Sequence, residues 1–109
     1  MNRTAPPDID LDADAKSAAG LFRVLANEHR LKVLCALRPG ELSVGQIADH
    51  VGLSQSALSQ HLARLRQDGV LATRRQGQTI FYRIADPDVM TVLAAVSSVM
   101  ARRRPGVIR

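Results

Sequence analysis

The sequence predicts a mainly α-helical domain carrying one small β-hairpin, in the order α-α-α-α-β-β-α. Three observations carry that expectation. Apolar residues recur at three- and four-residue intervals through most of the chain, the period of a helix with one buried face. Two short helical patterns are separated only by Gly52-Leu53, as in two helices joined by a tight turn. Two β-prone stretches, 71–76 and 79–84, flank the two-residue turn Gly77-Gln78, which reads as a hairpin.

Each element follows in order. Residues 1–11 hold Pro6, Pro7 and alternating Asp, and read as a disordered tail. Over 12–26, Ala15, Ala18, Ala19, Phe22 and Leu25 fall at helical spacing until Asn27 breaks the pattern. A second helix over 28–37 places Leu31, Leu34 and Leu37 on one face, and Pro39-Gly40 ends it. Ser43 with Gln46 three residues on forms a capping box. It opens a short helix with Ile47, Ala48 and Val51 inward, which Gly52 closes. Ser54 caps the next helix, 54–67, whose apolar stripe is Leu58, Leu62 and Leu65 and which ends near Asp68-Gly69.

In the second strand of the hairpin, Ile80, Tyr82 and Ile84 alternate with Thr79, Phe81 and Arg83. The last helix spans 86–103, with Pro87 in its first turn. Val89, Leu93, Val96 and Met100 recur at heptad-like spacing with Val92 and Val99 beside them. Such a face is too apolar to leave in water and calls for a partner helix. The expected interface between two copies is therefore Phe22, Leu25, Val89, Leu93, Val96 and Met100. A hairpin directly after a helix-turn-helix is a wing. The expected fold is a winged helix-turn-helix in one domain over 12–103, with a basic tail at 104–109.

At 109 residues the chain has room for one small domain with a marginal core, and dimerisation is a natural way to bury more. Hydrophobic residues make up 46% but aromatics only 3%, so Leu, Val, Ile and Ala must build that core. The net charge of +5 favours a polyanionic partner. Its distribution says more. Asp8, Asp10, Asp12 and Asp14 gather near the start, whereas Arg64, Arg66, Arg74, Arg75 and Arg83 cluster with only Asp68 opposing them. Arg102, Arg103 and Arg104 form a second basic run. Only Lys16 and Lys32 break the preference for Arg, whose fork suits phosphate and base edges. The single cysteine, Cys35, excludes an intrachain disulfide and fits a cytoplasmic setting. No run approaches ~18 apolar residues and the first ten residues lack a signal-peptide stretch, so no membrane association is expected.

The chemistry concentrates on the helix after Ser54. With Leu58 and Leu62 inward, Gln55, Ser56, Ser59 and Gln60 face out, with His61 near the boundary. Gln addresses adenine with two hydrogen bonds, and Ser contacts a base or a phosphate. The first turn also offers backbone N–H groups to phosphate. A merely solvated helix face is the plain alternative. This face, however, has no acidic residue and is followed by Arg64, Arg66 and a hairpin bearing Arg74 and Arg75. The expected contacts to double-stranded DNA are Ser54, Gln55, Ser56, Ser59, Gln60, His61 and Arg64. Arg74, Arg75, Gln76 and Gln78 on the wing reach flanking phosphates or the minor groove.

The run LANEHRLKVLCALRPGELSVGQIADHVGLSQSALSQHLARLRQDGVLATRRQGQTIFYRI resembles the arsenic-repressor (ArsR/SmtB) family of bacterial winged-helix repressors. The resemblance covers about residues 15–100. LSQSALSQHLARLR and RRQGQTIFYRI most resemble its branch of nodulation and redox-responsive regulators. It implies a cytoplasmic homodimer, nucleoid-associated when bound, joined by its first and last helices across an imperfect palindromic operator near a promoter.

Metal sensing, which the resemblance also brings to mind, is not expected. In metal-sensing members the third helix opens with a Cys-x-Cys pair, where this chain has Leu42-Ser43-Val44-Gly45-Gln46. The family's last-helix zinc ligands match Asp86, Asp88, Val99 and Arg102, and neither Val nor Arg coordinates zinc. His29, His50 and His61 lie on separate elements at no ligand-like spacing. No cofactor is implied.

Cys35 resembles one cysteine of the pair used for redox or polysulfide switching. The partner position in the last helix holds Ser97, Ser98 and Val99, so an intrachain switch is absent. Following Leu31 by four residues, Cys35 reads first as a small buried core residue and second as a redox-active thiol. Control otherwise falls to expression level or to an unidentified small-molecule inducer. An enzyme is not expected, because no Ser–His–acid set, carboxylate pair or Gly-rich phosphate loop is evident. A protein-binding winged-helix module would require an apolar or acidic outward face after Ser54, which is not what stands there.

Overall fold

Asn27 divides the first two helices. Its Oδ1 accepts from the backbone N–H of His29 at 2.9 Å and of Arg30 at 3.0 Å, satisfying donors that a helix start leaves open. Arg30 turns back to close the preceding helix, donating from Nε to Val24 O at 2.6 Å and from Nη2 to Arg23 O at 3.1 Å. The structure, a computed structural model, describes residues 11–105. Most of the expected N-terminal tail and the end of the basic tail lie outside the described residues.

The elements are α1 (Leu11–Leu25), α2 (Glu28–Leu37), β1 (Leu42–Ser43), α3 (Val44–Val51), α4 (Gln55–Gln67), β2 (Leu71–Gln76), β3 (Thr79–Ile84) and α5 (Pro87–Arg103). Local chemistry sets most boundaries. The capping box is complete: Ser43 N donates to Gln46 Oε1 at 2.9 Å and Gln46 N to Ser43 Oγ at 3.3 Å. Gly52 ends α3 in the left-handed conformation (φ +73°), which costs a residue with a Cβ roughly 1–2 kcal/mol. Ser54 caps α4 by accepting from Ala57 N at 3.1 Å. Asp86 caps α5, accepting from Asp88 N at 2.9 Å, with Pro87 in the first turn.

One element was not expected. β1, only two residues long, joins the hairpin to make a three-stranded antiparallel sheet in the order β1-β3-β2, pairing Leu42 with Tyr82 and Ser43 with Phe81. A two-residue strand carries no alternation to detect, and its Ser43 doubles as the cap of α3. The hairpin register follows the prediction, with Leu71 opposite Ile84 and Gln76 opposite Thr79.

The core gathers Leu25 from α1, Val33, Leu34 and Leu37 from α2, and Ile47 and Val51 from α3. Leu58, Leu62 and Leu65 from α4, Val70 and Leu71, and Val89 and Leu93 from α5 complete it. It is aliphatic, and each fully buried side chain contributes about 1.5–3 kcal/mol relative to exposure. One expected stripe shifts and another widens. On α1, Ala15, Ala19 and Phe22 are exposed and Leu21 and Val24 pack instead, because only the C-terminal half of the helix meets the core. On α2 the expected Leu34 and Leu37 are buried with Leu31 packed beside them, and Val33 joins the buried set.

Leu25, Val89 and Leu93 are therefore part of the chain's own core, so of the expected interface only Phe22, Val96 and Met100 stand exposed. Among the described residues the large apolar side chains left exposed are Phe22 (63%), Met100 (52%), Val96 (41%), Val99 and Ile80. Among the described residues no helix is long and apolar enough to cross a membrane.

Candidate nucleic-acid interface

Burial of Leu58, Leu62 and Leu65 fixes the rotation of α4. Gln55, Ser56, Ser59 and Gln60 are consequently exposed, as the sequence predicts. Ser59 Oγ donates to Gln55 O one turn back at 2.7 Å, so its hydroxyl meets an outside group chiefly as an acceptor. The Gln55 side-chain amide lies beside Gly45 at the start of α3.

A cleft of about 430 Å³ runs between this face and the wing, lined by Ser43, Val44, Gly45, Ser59, Gln78, Thr79, Ile80 and Tyr82. It joins Ser59 and Gln78, both anticipated, to Ser43, Thr79 and Tyr82, which were not. The available signal was the alternation of β3, which sets Ile80 and Tyr82 on one face. What was missing was β1, whose pairing brings Ser43 to that strand.

The arginines divide. Arg66, Arg75 and Arg83 are exposed, and Arg75 Nε donates to Gly77 O at 3.2 Å across the wing's turn. Arg64 Nε donates to Asp68 Oδ2 at 2.7 Å, one turn along α4. Arg74 is held by an acid that the sequence reading overlooked. Its Nε donates to Glu41 Oε1 and Oε2 at 3.1 and 3.2 Å and its Nη2 to Oε1. Nη1 donates to Gln76 Oε1 at 2.9 Å, and the guanidinium lies 4.7 Å from the centre of the Phe81 ring. These hydrogen bonds hold the Glu41 carboxyl below its ordinary pKa and the Arg74 guanidinium above its own. Asp68 is thus not the basic cluster's only opponent.

His61 sits at the boundary of the exposed α4 face, where the sequence places it. Its ring is half-buried against His29 of α2, centroids 5.6 Å apart, because it follows Leu58 and precedes Leu62 on the side that meets α2. Desolvation, then the positive charge of Arg30 and of His29, lowers its pKa from the usual 6.5. His61 thus packs against α2 at the edge of the exposed row.

Cys35 differs from expectation. It is exposed, since α2 buries positions 33, 34 and 37, and it lines a concavity of about 1130 Å³ shared with Leu31, His50 and Met100. The expectation of a buried core residue is corrected. Among the described residues no three His, Cys, Asp or Glu side chains stand close enough to hold a metal ion.

A polar, acid-free face on the second helix of a helix-turn-helix, flanked by an Arg-bearing hairpin, defines a winged helix-turn-helix regulator that binds DNA. Residues 27–73 match the family model described as "Bacterial regulatory protein, arsR family". The chain is 44% identical over 84 residues to the transcriptional activator HlyU of Vibrio cholerae, covering 77% of this chain and 78% of that protein. It is 46% identical over 86 residues to the nodulation protein NolR of Rhizobium meliloti, covering 79% and 70%. The crystal structure of the transcriptional repressor BigR from Xylella fastidiosa superposes with a TM-score of 0.79 at 34% identity, covering 83% of this chain and 92% of that one. The chain belongs to the arsR family of bacterial transcriptional regulators.

Proposed function

We propose that this regulator is a repressor that binds an imperfect palindrome as a homodimer, inserting α4 of each copy into successive major grooves. The observation that carries the reading is the exposed row Gln55, Ser56, Ser59 and Gln60 above the buried Leu58, Leu62 and Leu65. Gln55 and Gln60 are the base readers and the serines add base or phosphate contacts. The cleft between α4 and β3 gives the sugar-phosphate backbone a path lined by hydroxyl groups. Arg66 and Arg75 supply sequence-independent grip and steep salt dependence.

Two copies are required to cover Phe22, Val96, Val99 and Met100, which leave α1 and α5 with exposed apolar side chains. Beside them Phe22, Leu25, Leu31, Val92, Leu93 and Val96 line an apolar hollow of about 210 Å³ that fits a partner's side chains. Likeness to a protein named as a repressor supports repression over activation, although HlyU is named an activator.

Selection of bound duplexes from a random pool by the purified protein, at a stated salt concentration, tests the reading. Enriched half-sites related by a dyad and spaced by about one helical turn are expected. A pool that emerges without a shared motif would falsify it.

The exposure of Cys35 favours a second reading, in which the repressor answers to thiol oxidants. Operator affinity of the wild type and of Cys35→Ser, compared with and without a persulfide or peroxide, decides it; equal responses remove the idea.

A further inference from the structure

We infer that Glu41 withholds Arg74 from DNA, so that the wing grips the backbone through Arg75 and holds non-operator sequence less tightly. The inference rests on the DNA-binding reading above. Arg74 spends its Nε–Nη2 edge on the Glu41 carboxylate, and its Nη1 donates to Gln76. One face of its guanidinium is covered by Phe81. The forked Nε–Nη2 edge it offers to Glu41 is the geometry that grips a phosphate in two hydrogen bonds, and that edge cannot hold both anions at once.

The sheet builds this arrangement. Glu41 immediately precedes β1, and β1 pairs with β3 through Leu42 and Tyr82. Arg74 stands opposite Phe81 on the neighbouring strand pair. Successive residues of a strand point to opposite faces, so Arg74, Phe81 and Arg83 share the face on which Glu41 sits. Arg75 lies on the other face with Ile80 and Tyr82, which line the cleft beside Ser59.

An ion pair this exposed adds little to folding, so its effect is on the wing's charge. A phosphate that displaced Glu41 would strand a carboxylate beside a polyanion. Phosphate contacts supply essentially all non-specific affinity, whereas base contacts supply discrimination. Withholding one cation therefore weakens non-operator binding proportionately more and widens the specificity ratio.

The test is the salt dependence of binding to two duplexes, the selected operator and a scrambled sequence, by the full chain and by Glu41→Gln, Arg74→Gln and the double variant. All are exposed positions, and circular dichroism verifies the fold. Each phosphate contact changes the slope of log K against log salt by about 0.9. Glu41→Gln should steepen the slope by about that amount and bind the scrambled duplex more tightly. The double variant should match the wild type, and Arg74→Gln should keep the wild-type slope while binding both duplexes more weakly through the carboxylate it strands. The inference is overturned if Arg74→Gln alone flattens the slope by about 0.9, if Glu41→Gln leaves it unchanged, or if the double variant behaves as Glu41→Gln does. A wild type that binds neither duplex at low salt overturns the DNA-binding reading itself, a result distinct from these three.

Discussion

The imidazole rings of His29 and His61 stand 5.6 Å apart, tilted by 43°, where α2 packs against α4. His29 Nδ1 is buried without a hydrogen-bond partner. Arg30 is the nearby cation that acts on His61, while Glu28, paired with Lys32 at 3.1 Å, also interacts with His29.

A pH dependence follows. The pKa of His61 is lowered in the folded chain by desolvation first, then by Arg30 and His29. Just below 6.5, the unfolded chain then binds more protons than the folded one, so stability rises with pH in that window. The contribution is complete above 6.5 and is lost as pH falls through the lowered folded value. Thermal melts from pH 5 to 8 should show the wild type losing stability on acidification more steeply than His61→Gln. Parallel curves for the two proteins would dismiss the coupling.

Leu62 is 1% exposed and anchors α4 from beneath. Leu62→Ala should cost about 2–5 kcal/mol through lost transfer energy and the cavity left behind, a fall in Tm of at least ~8 °C for a domain this size. Calorimetry reads it directly, and a shift under ~2 °C would show that α4 is not held by this side chain.

Gln55 and Gln60 predict the opposite pattern. Both are exposed, so Gln55→Ala or Gln60→Ala should leave Tm within ~4 °C, since surface changes are usually within ±0.5 kcal/mol. Each should instead erode discrimination between operator and single-base variants by ~1–3 kcal/mol at one position. Arg75→Ala should weaken all sequences alike. Uniform weakening by the Gln variants would place the bases elsewhere.

Val96 and Met100 carry the association prediction. Introducing a charge at either, Val96→Glu or Met100→Glu, places a carboxylate in an apolar contact it cannot satisfy. Sedimentation should show the variants as monomers with unchanged helical content, and operator affinity should drop sharply. Variants that sediment with the wild type would move the interface off α5.

Helix starts and stops were legible because their causes are local. The Ser43–Gln46 box, the Ser54 cap, the Gly52 turn and the Asp86-Pro87 start all act within four residues, and the chain displays them in order. The exposed polar face of α4 was legible for a similar reason. The leucine stripe at 58, 62 and 65 leaves only one side of α4 for Gln55, Ser56, Ser59 and Gln60.

By itself, then, the sequence determined the succession of helices, the hairpin register and the polar face of α4, since each depends on neighbours within a turn or two. Only the tertiary structure decided that Val33 joins the buried side of α2 while Cys35 stands exposed. It also decided that His61 meets His29 and that Leu25, Val89 and Leu93 serve the chain's own core. The addition of β1 to the wing is of the same kind, and so is the capture of Arg74 by Glu41. The physical reason is common to all of them. Helix rotation and strand addition are settled by contacts between residues far apart in the chain, and local periodicity carries no record of which distant surface will be met.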